Sequence, residues 1–151
     1  MNKNAGQPEA SGPGPFPWFL PSLVELSQQT GLRPVVTLSV GGLLISGELI
    51  DGKSYFEELI RETRATPAGA VDEAIRTRLL ELYQSFADRY GRPGLGSEQS
   101  AHAEPAHLHF RTARVYHPSG APIPSGGGLM WRVRLDAVEG FTLGLPPKET
   151  V

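Results

Sequence analysis

The chain of 151 residues carries 14 basic and 16 acidic side chains, a formal net charge of -2, and no cysteine. That length fits one ordinary domain with a modest core, and the near-neutral charge gives no electrostatic reason to expect nucleic acid or an anionic membrane as partner. Without cysteine, disulfide frameworks, thiolate catalysis and cysteine-ligated zinc fall away together.

Residues 1–17 are rich in Pro and Gly and poor in aliphatic side chains, so they cannot bury enough surface to offset the entropy of ordering; a disordered tail is expected. They show no basic cluster followed by an apolar run, and no later stretch has about 18 uninterrupted apolar residues. A soluble, cytoplasmic protein is the expectation. A single domain should then occupy residues 18–146. Ser22 and Glu25 have capping-box spacing, Leu23, Val24 and Leu26 form an apolar stripe, and Gly31 is a stop, which together describe a short amphipathic helix. The aromatic residues Phe16, Trp18 and Phe19 ahead of it are expected to bury against the domain's own sheet.

From Leu32 to Ile50 the period changes to two, with Val36, Leu38 and Val40 on one side and Val35, Thr37 and Ser39 on the other. Gly41-Gly42 supplies the positive backbone angles of a tight hairpin turn. Gly47, inside the returning strand, marks a bend, a bulge or a close backbone approach.

Asp51-Gly52 breaks the strand, and Ser54 is positioned to cap a helix with Tyr55, Phe56, Leu59 and Ile60 on one face and Glu57, Glu58, Arg61 and Glu62 on the other. After Pro67 and Gly69, Val71, Ile75, Leu79, Leu82 and Phe86 form the clearest helical stripe in the chain, ending near Tyr90-Gly91. The helical insert therefore spans about residues 53–90, and a polar flexible loop about 91–105 follows it.

The last third returns to strands: His107 to His117, Leu129 to Val138 and Phe141 to Leu145. Leu108 and Phe110 share one face, whereas Ala113 and Val115 share the other, and that change of phase predicts a bulge or sharp bend. Leu129, Trp131, Val133 and Leu135 alternate with polar neighbours, as in a strand with one buried face. Residues 118–128 read as a long irregular connection, and 147–151 as a C-terminal tail. The expected fold is α+β: a bent antiparallel sheet of about five strands, a small Sm/SH3-like open barrel, with an N-terminal helix and an inserted helical pair.

Chemistry-bearing patterns are sparse. His107 and His109 share a strand face, with His102 and His117 nearby, but no acidic residue at matching spacing completes a metal set. Arg111, Arg114, Arg132 and Arg134 fall on strands that should be neighbours; they read first as a solvated sheet face paired with nearby carboxylates, and otherwise as a local basic face for which protein carboxylates are as apt a target as phosphate. The carboxylates of the two central helices alternate with arginines, as on any solvated helix surface, and no pair is isolated for acid/base chemistry. Neither a nucleophile elbow nor a phosphate loop is present. No catalytic residue, cofactor or metal is expected.

Two blocks carry a resemblance: VTLSVGGLLISGELIDGKSYFEEL from Val36 to Leu59, and HLHFRTARVYHP with GGLMWRVRLDAVEGFTLG between His107 and Gly144. Together they resemble the gas-vesicle accessory protein U family, GvpU. The matching pieces are Ile45-Ser46-Gly47, Tyr55-Phe56, His109-Phe110, Trp131-Arg132 and the closing Val138, Gly140, Phe141, Leu143 and Gly144. The stretch from Thr63 to Glu104 does not visibly match.

The resemblance implies a cytoplasmic, non-enzymatic protein that associates with vesicle shells or other vesicle proteins and influences their assembly or clustering, and it brings no catalytic residues. The candidate contact surfaces are the arginine face and any exposed remainder of the helix from Val71 to Tyr90, with a homo-oligomer compatible with either. The runner-up is an Sm-like ring that binds RNA. Against it, Asp51 lacks the following Asn of a nucleotide pocket, and Trp131-Arg132-Val133 replaces the usual Ile-Arg-Gly. A small histidine-centred enzyme is the third reading.

Overall fold

The computed structural model describes residues 19–90, 107–117 and 121–145. The expected tails, the loop at about 91–105, Phe16 and Trp18 lie outside the described residues. The elements in order are α1 (Phe19–Thr30), β1 (Val35–Val40), β2 (Leu43–Ile50), α2 (Gly52–Ala65), α3 (Glu73–Tyr90), β3 (His107–Tyr116), β4 (Pro122–Ile123), β5 (Leu129–Arg134), a 3-10 turn (Leu135–Ala137) and β6 (Gly140–Leu143).

α1 starts three residues before the expected cap, so Ser22 sits inside the helix rather than at its start. Its end is as read: Gly31 takes φ 70° and its N–H reaches the Ser27 carbonyl at 2.9 Å. In α2 the cap is Asp51, whose carboxylate accepts from the Ser54 N–H at 2.8 Å, so Ser54 is the capped residue and not the cap. Asp72 does the same for α3, accepting from the N–H of Ala74 at 2.9 Å.

The sheet is antiparallel throughout, in the order β4-β3-β2-β1-β6, with β5 pairing the same outer edge of β3 as β4. Gly41 and Gly42, at φ 57° and 78°, close the β1–β2 hairpin. The sixth strand, absent from the sequence reading, is the two-residue β4. Curvature follows from chain reach. β5 and β6 lie on opposite edges, four strand spacings of about 4.8 Å apart if the sheet were flat, or about 19 Å. Six residue steps from Arg134 to Gly140 span at most about 21 Å when fully extended, and three of those residues are wound into a 3-10 turn. The sheet must curl to bring its edges within that reach, yet it stays open, since no ladder joins β5 to β6 among the described residues.

Ladder partners show how the phase change in β3 resolves. Glu48 pairs Arg111 and Ser46 pairs Arg114, so two residues of β3, Thr112 and Ala113, stand against Gly47. Thr112 takes φ 53° as the extra residue. The bulge returns Ala113 and Val115 to the face of Leu108 and Phe110, so all four meet one core and not two. Gly47 is required there: a Cβ would lie 3.0 Å from the Ala113 Cα and 3.1 Å from the Arg111 carbonyl.

That core, Val36, Leu38, Ile45, Leu49, Leu108, Phe110, Ala113 and Val133, lies on the sheet face covered by α1 through Leu20, Leu23 and Val24. Phe19 stacks on Phe141 at 5.3 Å, as its expected burial against the sheet requires. A second cluster forms where α2 and α3 meet one end of the opposite face, from Ile50, Tyr55, Phe56 and Ala87.

Candidate functional site

The chemistry-bearing side chains gather on that opposite face. Directly paired residues share a face of an antiparallel ladder. The pairs Ile50↔His109, His109↔Arg132, His107↔Arg134, Glu48↔Arg111 and Ser46↔Arg114 therefore put both histidines and all four arginines on one side of the sheet.

The helical pair covers one end of it. His109 is 1% exposed and ringed by aromatic groups, with Tyr55, Tyr90 and Phe56 at centroid distances of 4.9, 5.3 and 6.1 Å. Burial, reinforced by the Arg132 guanidinium and then by His107, pushes its pKa down to about 3, against a weaker opposing pull from Asp51. The imidazole is neutral at physiological pH and out of reach of any substrate. Burial likewise pushes the Tyr55 hydroxyl up, against the pull of Arg132. Neither group is poised to exchange protons near neutral pH.

Arg132 lies over the Phe56 ring at 5.8 Å and donates to the Tyr90 hydroxyl and the His107 Nδ1, both at 3.2 Å. Tyr90, the last residue of α3, presses its ring on Gly52, where a Cβ would come within 2.5 Å of it. Arg132 is thus a clasp between the sheet and the end of α3. The sequence reading grouped the two histidines on one strand face and gave them no role. β3 is an interior strand, and His107-x-His109 is part of the seat for the helices. The signal available was the aromatic pair Tyr55-Phe56, which needed a partner on the sheet.

The other three arginines each have a neighbour. Arg111 stands 3.8 Å from the Glu48 carboxylate, Arg114 donates to the Gly127 carbonyl at 2.9 Å, and Arg134 forms a two-pronged pair with Asp136. The hydrogen bond from Arg134 holds the exposed Asp136 carboxyl below its usual range. At the end of this face away from the helices, Val35, Ser46, Glu48, Thr112, Arg114 and Leu145 line a shallow groove of about 250 Å³. Beside the groove the Thr37 hydroxyl donates to the Gly144 carbonyl at 2.6 Å and lies 2.9 Å from the hydroxyl of Ser46, one of the lining residues. Among the described residues no cluster of three or more His, Asp or Glu side chains could hold a metal, and His102 lies outside them. No described helix is long and apolar enough to cross a membrane.

The family model for gas vesicle protein GvpU-like proteins matches residues 17–146. The chain belongs to the GvpU-like family. No curated protein and no solved structure matches it. The GvpU-like match runs through α2 and α3 as well as the sheet, so the stretch from Thr63 to Glu104, which showed no visible resemblance in the sequence, lies within the family's span. The aromatic seat, the arginine clasp and the bulge at Thr112 are therefore features of its GvpU-like domain.

Proposed function

We propose that this chain is a non-enzymatic, cytoplasmic gas-vesicle accessory protein that associates with vesicle shells or other vesicle proteins and influences their assembly or clustering. Membership of the GvpU-like family across residues 17–146 carries this reading. The burial of His109, and the shallow, open form of the groove beside Arg114, support a surface for contact rather than a reaction chamber.

The contact surface in this reading is the open end of the arginine face. Arg111 and Arg114 border it, Arg132 holds the helical pair in place behind it, and Arg134, opposite His107, lies beyond Arg132 at the helical end of the face. The partner is a vesicle protein presenting carboxylates, which compete for Arg111 with the Glu48 carboxylate 3.8 Å away. The test is complementation in vesicle-forming cells that lack this gene. The wild-type chain restores vesicle number and spatial arrangement as seen by electron microscopy, while the Arg111→Glu/Arg114→Glu variant, present at equal level, does not. Full restoration by the variant would remove these arginines from the contact surface. No change on deleting the gene would remove the vesicle role itself.

A further inference from the structure

α3 is apolar over a wider arc than the described residues cover. At about 100° per residue, Arg76, Leu80, Tyr83, Ala87 and Tyr90 fall on the side turned to α2 and the sheet. Ile75, Leu79, Leu82 and Phe86 fall within about 60° of one another on an adjoining arc. This second stripe is the one that stood out in the sequence, and much of it is open: Ile75 is 56% and Leu82 50% exposed. Only its Phe86 end engages the helical pair, stacking on Phe56 at 4.9 Å. Ala74, Ile75, Arg78, Leu79 and Leu82 instead line an open apolar surface depression of about 310 Å³.

We propose that this stripe pairs with the same stripe of a second copy, the two α3 helices running antiparallel about a twofold axis. The spacing is self-complementary. An axis at the midpoint of Leu80 and Glu81 places Ile75 opposite Phe86 of the second copy and, at the same time, Leu79 opposite its Leu82. Both pairs share that midpoint, so one axis satisfies the whole stripe, as an isologous interface demands.

The charges on its flank favour the same arrangement. Arg78 borders the stripe, Glu81 follows on the same side, and neither has an ion-pair partner among the described residues. In an antiparallel twofold pair, like flanks face each other. Arg78 of one copy then stands within about 3 Å, along the helix axis, of Glu81 of the other. A parallel pairing would instead bring unlike flanks together and place Arg78 and Glu81 of the two copies on opposite sides of the seam. The seam is short, so the dimer forms reversibly and at the small end of protein interfaces. It is independent of vesicle docking, and its test contains no vesicles.

The test is sedimentation equilibrium of the full chain over a wide concentration range, with far-UV circular dichroism and urea midpoints confirming that each variant is folded. The wild type shows a monomer–dimer equilibrium. Leu82→Glu raises the dissociation constant about tenfold or more. Arg78→Glu alone and Glu81→Arg alone each weaken the dimer, by up to about tenfold, because each sets like charges across the axis twice. The double variant Arg78→Glu/Glu81→Arg restores it, which a general loss of charge or fold does not do. A wild type that stays monomeric overturns the proposal, as does a dimer indifferent to Leu82→Glu or a double variant no better than the singles.

Discussion

His109 makes the fold acid-sensitive in a way one substitution can isolate. In the unfolded chain its imidazole titrates near 6.5, whereas in the folded protein the pKa is about 3. Between those values the unfolded state binds one proton more than the folded state, so stability is fully present above about pH 6.5 and is lost as the pH falls. Each pH unit within the window removes about 1.4 kcal/mol, or about 2 kcal/mol by pH 5. That is a large share of the stability of a small domain. His109→Leu replaces the imidazole with an apolar group of similar size amid Tyr55, Phe56 and Tyr90, and deletes the proton-binding site. The Nε2 has no hydrogen-bond partner among the described residues, so no bond at that atom is lost. Urea midpoints at a series of pH values between about 4 and 7 give the measurement. Subtracting the variant's profile from the wild type's leaves a line rising with pH at about 1.4 kcal/mol per unit. Parallel profiles would mean that His109 is hydrated or partnered in solution and that the aromatic seat is looser than described.

Three further outcomes follow from local geometry. Gly47→Ala costs about 1–3 kcal/mol by urea denaturation, because its Cβ meets backbone across the bulge; Gly140→Ala, which meets nothing within 4 Å, shows a much smaller change. Thr112→Gly raises the urea midpoint, gaining about 1 kcal/mol, since a β-branched residue at φ 53° is strained. Asp51→Ala removes the cap of α2 and costs about 1 kcal/mol, with Asp51→Asn close to wild type.

Alternation and turn chemistry were enough to place β1, β2, β3, β5 and β6 and the glycine turn, because each depends on neighbours within a few residues. The bulge was legible as a change of phase, but its consequence was not. Whether Ala113 and Val115 face a second core or rejoin the first depends on how Glu48 and Ser46 pair across the sheet. The stripe from Ile75 to Phe86 was legible as apolar, but how much of it is covered was not, since periodicity reports that a face is apolar, not what covers it. β4 is too short for any pattern to reveal. The four arginines were expected on neighbouring strands, yet nothing in the sequence shows that Arg132 clasps Tyr90 and His107 while Arg111 faces Glu48.

The vesicle role can be tested directly by flotation. The purified chain is mixed with isolated gas vesicles, the vesicles are allowed to rise, and the chain is quantified in the buoyant and clarified layers. The chain is expected to rise with the vesicles, and Arg111→Glu/Arg114→Glu to remain behind while still folded. A wild-type chain that stays wholly in the clarified layer would contradict association with the vesicle surface.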